Sequence, residues 1–204
     1  MIKNIIFDWS GTLTDHVDSH YEVCCYIFRA LGMEPIPKEQ YKREITADYM
    51  TFWKKYAPEV SKDQQNDLYL DGMKTIESPK LFVGVKEFLD QLKEKGIKMF
   101  VVSADVPETL YPEMKSGGVY NHFEEICYDQ LVKTGAIKSL IEKYNMNPEE
   151  TIYVGDTIAD VNSGKEAGVI SIGLFCGVQD VDVLRDSKPD YLFESVMEIR
   201  KILS

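Results

Sequence analysis

Short apolar segments and longer amphipathic segments alternate along most of the chain. The apolar segments span residues 2–7, 97–103, 151–155 and 169–173. A mainly apolar run of this length is typical of a strand that is buried on both faces of a parallel sheet. The segments between them, such as 85–95 and 136–144, carry apolar residues at helical spacing. This alternation predicts βαβ units and an α/β fold with a Rossmann-like parallel sheet.

Residues 14–79 depart from this alternation, because the strand pattern disappears and the apolar spacing becomes helical. Helices are predicted over 21–31, 38–56 and 61–76. Ser61 and Gln64 form the sequence pattern of a capping box before the third helix. We predict an inserted all-helical cap domain at 14–79, with the α/β core formed by 1–13 and 80–204. Such an insert should lie above the carboxyl ends of the strands, where ligands bind in open α/β sheets.

The composition indicates a folded protein with an acidic surface. Hydrophobic residues make up 44% of the chain and charged residues 28%, which is ordinary globular usage. The 34 acidic and 23 basic side chains give a formal net charge of −11, which disfavours a nucleic acid or an anionic membrane as the main partner. A small phosphorylated substrate is still compatible, because a local cation and backbone dipoles can override the net field inside one cleft.

The cysteines and the hydropathy pattern both favour a cytoplasmic location. Cys24, Cys25, Cys127 and Cys176 form neither a CxxC pair nor the spacing of a disulfide scaffold, so we expect reduced thiols. The apolar stretch at the N-terminus is too short for a signal peptide. No apolar run approaches the ~20 residues that span a bilayer.

The first predicted strand ends at an acidic residue, Asp8, which is followed by Trp9, Ser10, Gly11 and Thr12. An acid at a strand end followed by a small residue and a glycine places a carboxylate in a tight loop with free amide donors. Taken alone, the segment is equally compatible with an aspartate that caps a turn.

A second acidic pair follows the predicted strand at 151–155. Asp160 lies four residues beyond Asp156, so both carboxylates can face the Asp8 loop if a helix begins near Thr157. Several carboxylates in one place need a hard cation, and Mg²⁺ prefers oxygen ligands. The alternative is that Asp156 caps the helix and Asp160 is a solvated acid in its first turn.

Two further segments supply groups that suit a phosphate. Ser103 and Ala104 end a third strand with a hydroxyl and backbone amides, and Lys133 opens the helix that leads to the Asp156 strand. Lys133 could offset the charge of phosphate and carboxylates. Each residue has an ordinary alternative, since a serine at this position is usually a turn residue and such a lysine is usually on the surface.

Together these segments resemble the haloacid dehalogenase-like hydrolase superfamily, and the resemblance covers essentially the whole chain. The order along the chain matches: a nucleophile loop, a helical insert, a hydroxyl residue at a strand end, a lysine, and Gly-Asp with a second Asp four residues later. The stretch 147–169 looks like the phosphoglycolate phosphatase-like branch on eight residues: Pro148, Glu149, Glu150, Gly155, Asp156, Asp160, Ala167 and Gly168.

The resemblance implies a magnesium-dependent hydrolase in which Asp8 attacks phosphorus to give an aspartyl-phosphate that water then cleaves. It makes Asp8 and Lys133 the catalytic residues. The candidate phosphate-binding residues are Ser103, Ala104, Lys133, Gly11 and Thr12. The candidate Mg²⁺ ligands are Asp8, the backbone carbonyl of Ser10, Asp156 and, close by, Asp160.

Ser10 departs from the family pattern, because most phosphatases of the superfamily carry there an Asp that protonates the leaving alcohol and later activates water. A hydroxyl is too weak an acid for this task, and such proton transfer contributes about 10²–10⁴ in rate. One explanation is a substrate whose leaving group needs no proton, such as an acyl phosphate. Another is that Asp15, or a cap residue such as Asp48, takes over the acid role.

Three other functions stay open on the sequence. Phosphonatases of the superfamily carry a small residue at this position but use a cap lysine as a Schiff base, for which Lys42, Lys54 and Lys55 are available. A phosphate-binding regulatory module would need no acid, and a dehalogenase would not use the suggested magnesium site. For the cap, the candidate residues that line a substrate site are Tyr49, Phe52 and Trp53, although aromatic residues at this spacing more often form the core of such a domain.

Overall fold

The computed structural model of the protein describes residues 1–45, 49–179 and 181–203. Its centre is a parallel sheet with the strand order β3-β2-β1-β4-β5-β6. The strands are β1 Asn4–Phe7, β2 Lys98–Val102, β3 Glu125–Cys127, β4 Thr151–Gly155, β5 Ile170–Leu174 and β6 Tyr191–Phe193. The sheet and its helices confirm the predicted α/β fold class. β3 and β6 were not predicted, because each has only three residues and neither is fully buried.

The helices fall into two groups along the chain. Between β1 and the next strand, the chain forms α1 Val17–Ala30, α2 Lys38–Glu44, α3 Tyr49–Tyr56, α4 Lys62–Met73 and α5 Val85–Glu94. The later helices are α6 Pro107–Ser116, α7 Thr134–Lys143, α8 Ile158–Ala167 and α9 Val181–Asp186, with short 3-10 turns at Tyr120–His122, Pro148–Glu150 and Val196–Ile202.

Alternate residues of the central strand are buried on opposite faces of the sheet. Ile5 and Phe7 belong to one apolar cluster with α5, whereas Ile6 belongs to a second cluster with Ile137 and Leu140 of α7. A strand that is covered on both faces buries every side chain, which explains the consecutive apolar residues Ile5, Ile6 and Phe7 in β1. The two clusters pack against opposite faces of the sheet. The loops at its carboxyl ends therefore start from well-packed strands.

The first four helices form a separate helical insert with an aromatic core of its own. Phe28, Phe52 and Trp53 pack at its centre, with ring centroids 5.1–6.3 Å apart. The capping box predicted at the start of α4 is present, because the side chains and backbones of Ser61 and Gln64 bond reciprocally.

The prediction of one continuous helix over 38–56 was wrong. The α2 helix ends at Glu44, and Ile45 adopts an extended conformation with ψ 139°. The sequence places two β-branched residues, Ile45 and Thr46, side by side, and such residues lose side-chain freedom in a helix. Residues 46–48 lie outside the described part of the chain, and α3 is described from Tyr49 onward.

Two backbone segments that run side by side connect the insert to the sheet. Thr14 pairs with Leu81 as an antiparallel bridge. The N–H of Asp15 donates to the carbonyl of Lys80, and the N–H of Phe82 donates to the carbonyl of Leu13. Because the first of these segments follows directly on β1, the insert begins at the carboxyl edge of the sheet.

None of the helices in the described ranges combines the length and the apolar character that crossing a membrane requires.

The buried face of α5 offers a test of the packing described above. Phe88→Ala should lower the free energy of unfolding by about 3–5 kcal/mol, because Phe88 is fully buried and its removal leaves a cavity under the sheet. Urea unfolding followed by circular dichroism measures this loss. Glu94→Ala on the exposed side of the same helix is the matched control and should change stability by less than about 0.5 kcal/mol. Equal effects of the two changes would contradict the assigned packing.

Candidate active site

Three neighbouring strands deliver polar residues to one edge of the sheet. Asp8 follows β1, Ser103 follows β2, and Asp156 follows β4. These strands lie side by side in the order β2-β1-β4. Parallel strands end at the same edge, so the residues that follow them converge. Lys133, the residue before α7, reaches the same place from the far side of β2.

A buried lysine joins two of the three aspartates. The Nζ atom of Lys133 lies 2.6 Å from Oδ1 of Asp8 and 2.7 Å from Oδ1 of Asp160. Carboxylate oxygens of Asp8, Asp156 and Asp160 all lie within 4.8 Å of one another. Burial opposes a charged lysine, but the two carboxylates outweigh it and raise the pKa of Lys133. The lysine therefore stays charged and fixes the positions of both of its partners.

Both side-chain oxygens of Asp160 accept hydrogen bonds from groups within the protein. Oδ1 accepts from Lys133 and from the hydroxyl of Tyr153, and Oδ2 accepts from the backbone N–H and the hydroxyl of Thr157. Burial alone would raise the pKa of Asp160, but Lys133 and these donors hold it below its ordinary value. With only 1% of its surface exposed, Asp160 is not the solvated acid of the alternative interpretation. It forms a capping box with Thr157 at the start of α8.

Asp8 and Asp156 have fewer compensating contacts. Burial, opposed by Lys133 and aided by the nearby charge of Asp160, raises the pKa of Asp8 to about 7. Burial and the charges of Asp8 and Asp160 raise the pKa of Asp156 well above its ordinary range. Oδ2 of Asp156 accepts one hydrogen bond, 2.7 Å long, from the N–H of Val178. Asp8 shares the charge of Lys133 with Asp160, and Asp156 forms no ion pair with a lysine or arginine within the described residues.

The loop after β1 approaches Asp156 so closely that a side chain would not fit. Gly11 adopts φ +76°, and a Cβ atom there would lie 2.4 Å from Oδ2 of Asp156. Gly155 has the same role beside Asp160, since its Cβ would lie 2.3 Å from the Asp160 Cγ. The glycines in both sequence motifs therefore make room for the carboxylates.

The donor set fits a hard divalent cation. Asp8 and Asp156 offer buried carboxylate oxygens, and the cluster carries three acids against one lysine. Burial and the neighbouring carboxylates disfavour the charged forms of Asp8 and Asp156, and a cation beside them would stabilise those forms. Oxygen ligands are the choice of Mg²⁺ and Ca²⁺ rather than of soft metals. The cluster could therefore hold a metal ion.

Ser10 does not stand alone at the position where it departs from the family pattern. Its hydroxyl donates a 2.5 Å hydrogen bond to Oδ2 of Asp105, and the hydroxyl of Ser103 donates to the same oxygen at 2.8 Å. Asp105 comes from the loop after β2 and lines the same cavity as Asp8. A carboxylate is thus present beside Ser10, although it is contributed by a different strand end.

Two histidines at the start of the insert flank Asp105. Burial alone would raise the pKa of Asp105, but the charge of His16 and the hydrogen bonds from Ser10 and Ser103 outweigh it and hold the pKa below the ordinary value. Glu113, 3.2 Å from Nε2 of His16, raises the pKa of that histidine against the effect of burial. Burial and the proximity of His16 lower the pKa of His20 to about 3.

The sequence interpretation missed Asp105, His16 and His20. None belongs to a strand-end motif of the kind that indicated Asp8 or Asp156. The position of Asp105 two residues after Ser103 was the available signal, because Asp105 shares the strand end already singled out for a phosphate.

Some of the other candidate residues line the cavity beside Asp8, and others do not. Gly11, Ser103 and Ala104 line the cavity with Asp8 and Lys133. Thr12 does not, because its side chain is fully buried and its hydroxyl has no partner within the described residues. The described cavity-lining residues also exclude Asp15 and the three candidate cap lysines, Lys42, Lys54 and Lys55. Asp48, the other candidate acid, lies outside the described residues.

One cavity of about 170 Å³ extends from the carboxylates into the helical insert. Its far wall includes Tyr49, Phe52 and Trp53 from α3. Phe52 and Trp53 also belong to the core of the insert. These two residues therefore both line the cavity and pack in the core.

The fold and this centre define an α/β protein with a carboxylate–lysine site at a switch point of a parallel sheet. Residues 5–174 match the family described as haloacid dehalogenase-like hydrolase, so the chain belongs to that family. This confirms the resemblance stated from the sequence.

The relatives cover most or all of the chain. A phosphoglycolate phosphatase of Vibrio parahaemolyticus is 26% identical, over 100% of this chain and 96% of its own length. A pyrophosphatase, PpaX, of Oceanobacillus iheyensis is 26% identical over 60% of this chain and 59% of its own length. The crystal structure of a predicted phosphatase from Clostridium acetobutylicum has the same fold, with a TM-score of 0.87 and 21% identity over 100% of this chain and 99% of that one.

The raised pKa of Asp8 predicts how stability depends on pH in metal-free protein. A carboxyl group that binds its proton more tightly when folded loses stability as pH rises from its ordinary value of 3.8 to about 7. In EDTA, Asp8→Asn should therefore raise the Tm above that of the wild type at about pH 8, by a few degrees, and the gain should shrink towards about pH 4.

Thermal unfolding of both proteins across this pH range measures the effect. Asp186→Asn, at an exposed position of α9, is the control and should leave the pH dependence unchanged. A gain for Asp8→Asn that is the same at every pH would show that the Asp8 charge is not destabilising.

Proposed function

We propose that this chain is a magnesium-dependent phosphatase that acts on a small phosphorylated metabolite through an aspartyl-phosphate at Asp8. The observation that carries the proposal is the pair of Asp8 and Lys133, buried together at the strand end and facing the cavity. The names of the relatives, a phosphoglycolate phosphatase and a pyrophosphatase, support a phosphoryl group as the reacting part.

The proposed reaction has two displacements at phosphorus. In the first, a carboxylate oxygen of Asp8 forms a bond to phosphorus while the bond to the leaving oxygen breaks. Lys133 and the amides of Ala104 and Gly11 bind the phosphate oxygens, where charge develops during transfer. In the second, water attacks the aspartyl-phosphate, releases inorganic phosphate and restores Asp8.

Asp8, Asp156 and the backbone carbonyl of Ser10 would hold Mg²⁺. When bound, the ion neutralises carboxylate and phosphate charge so that an anionic nucleophile can approach an anionic substrate. Asp160 is proposed to orient Lys133, because hydrogen bonds within the protein occupy both of its oxygens.

Asp105 is proposed to supply the proton transfer that Ser10 cannot. Its carboxylate is held at the cavity wall by the hydroxyls of Ser10 and Ser103. From there it takes a proton from the water that attacks the aspartyl-phosphate, and returns a proton to the leaving alcohol of the next turnover. An acid moved to a neighbouring strand end therefore replaces the one absent from the Asp8 loop.

The helical insert is proposed to act as a cap, with the boundaries 14–79 predicted from the sequence. The paired backbone segments around Thr14 and Leu81 would serve as its hinge. An exposed ion pair of 2.8 Å between Lys62 of α4 and Asp129 of the core joins the two parts on the far side. Closure of such a cap excludes water from the reacting centre.

The first experiment measures phosphate release from phosphate monoesters, acyl phosphates and phosphonoacetaldehyde, each with and without Mg²⁺. Turnover of phosphate esters should require the ion and should be abolished in Asp8→Asn, while Asp186→Asn keeps full activity. Circular dichroism checks that both variants are folded. Turnover that survives EDTA, or that persists in Asp8→Asn, would refute the mechanism. Phosphate binding without any turnover would favour a regulatory module.

A second experiment separates the two displacements with p-nitrophenyl phosphate, whose leaving group needs little help from an acid. Asp105→Asn should release about one equivalent of nitrophenol per enzyme in a burst and then turn over about 10²–10⁴-fold more slowly than the wild type. Rapid-quench measurement detects the burst, and Asp186→Asn at the exposed position of α9 is the control. Steady turnover at the wild-type rate would exclude Asp105 from the reaction.

The hydrogen bond between Ser10 and Asp105 also predicts what happens when the two side chains are exchanged. Ser10→Asp alone places two carboxylates against each other and should not raise activity. The double variant Ser10→Asp, Asp105→Ser keeps one carboxylate and one hydroxyl at the same place, so it should be more active than Asp105→Asn.

A further inference from the structure

The cavity beside Asp8 has two chemically different ends. At the sheet, it is lined by the aspartates, by Lys133 and by the loop of Ser103. Along α1 the lining changes from histidine to apolar: His20 is followed on the same face by Val23, Cys24 and Ile27. The part of a substrate that lies beyond the phosphate therefore meets the apolar end.

Aromatic rings and the two amide side chains of Gln65 and Asn66 complete the far end. Tyr41, Phe52 and Trp53 line it from α2 and α3. Gln65 of α4 also lines the far end and is 4% exposed. Its side-chain amide forms no hydrogen bond within the described residues. The whole cavity, with the phosphate end included, has a volume of about 170 Å³. Roughly 150 Å³ holds one benzene ring in an apolar protein core, so the space beyond the phosphate fits a group of at most about one ring.

A second anionic group on the substrate would find no positive partner there. Lys133 is the single lysine or arginine among the described cavity-lining residues, and Asp8 and Asp160 already bind it. Residues 46–48, which follow the lining residue Ile45, are Thr, Ala and Asp. His16 is paired with Glu113, and the lowered pKa of His20 leaves that ring neutral. An unpaired charge in such a site loses its hydration without compensation.

We infer that the substrate is a phosphate ester of an uncharged alcohol with an apolar or aromatic group of about one ring, rather than a phosphate that carries a second anionic group. This inference rests on the proposed phosphoryl transfer at Asp8. It separates this chain from the substrates named for its relatives, since phosphoglycolate carries a carboxylate and pyrophosphate a second phosphate.

The test compares kcat/KM for benzyl phosphate and 4-carboxybenzyl phosphate in the presence of Mg²⁺. The two esters have the same bond to break and differ in one carboxylate at the far end. The wild type should prefer benzyl phosphate by at least about tenfold, and should prefer it over phosphoglycolate and pyrophosphate as well. An equal or reversed preference would overturn the inference while leaving the proposed phosphatase activity standing.

A cation placed at the far end should change this preference in a predictable direction. Gln65→Lys should lower the ratio of benzyl to 4-carboxybenzyl phosphate several-fold, whereas Gln91→Lys, which adds the same charge on the exposed face of α5, should leave the ratio unchanged. An unchanged ratio in folded Gln65→Lys would argue against the assigned location of the organic group. The wild-type comparison decides the inference even if Gln65→Lys fails to fold. Absence of turnover for every phosphate ester would overturn the inference together with the proposed function.

Discussion

The site depends on one buried cation, Lys133, held between Asp8 and Asp160. Three carboxylates in so small a volume would repel one another, and the lysine offsets part of that charge without any ligand. Replacing Lys133 would leave two buried carboxylates without their shared cation, so the lysine constrains both of them. The pair also ties α7 to the end of β1, and Asp160 brings in the first turn of α8. The geometry of the centre is therefore part of the fold.

The negative charge that remains at the centre means that a bound cation would offset the carboxylates and let an anionic group approach. Within the described residues Asp156 accepts a hydrogen bond only from a backbone N–H, and burial together with the charges of Asp8 and Asp160 raises its pKa. A bound metal ion would stabilise its charged form. Phosphate in turn needs the positive charge that the ion brings. The acidic surface of the chain, with a net charge of −11, does not prevent this, because the local field inside the cavity decides what binds there.

The cavity divides the work between the two parts of the chain. The sheet supplies rigid loops that carry the charged groups, and the helical insert supplies an apolar wall from its own aromatic core. Phe52 and Trp53 both stabilise the insert and line the cavity. The shape of the cavity therefore depends on how the insert is packed. Specificity can therefore vary with the insert while the charged centre stays fixed.

The sequence by itself determined the parallel α/β fold, the helical insert and the strand ends that carry Asp8, Ser103 and Asp156. These follow from apolar periodicity and from short motifs, which are local properties of the chain. It did not determine that Ser10 meets Asp105, 95 residues away, or that α1 turns an apolar face towards the site. Such contacts depend on how distant segments pack. Tertiary structure alone decided which acid stands beside Ser10 and what surrounds the substrate, because side chains far apart in sequence share one buried space there.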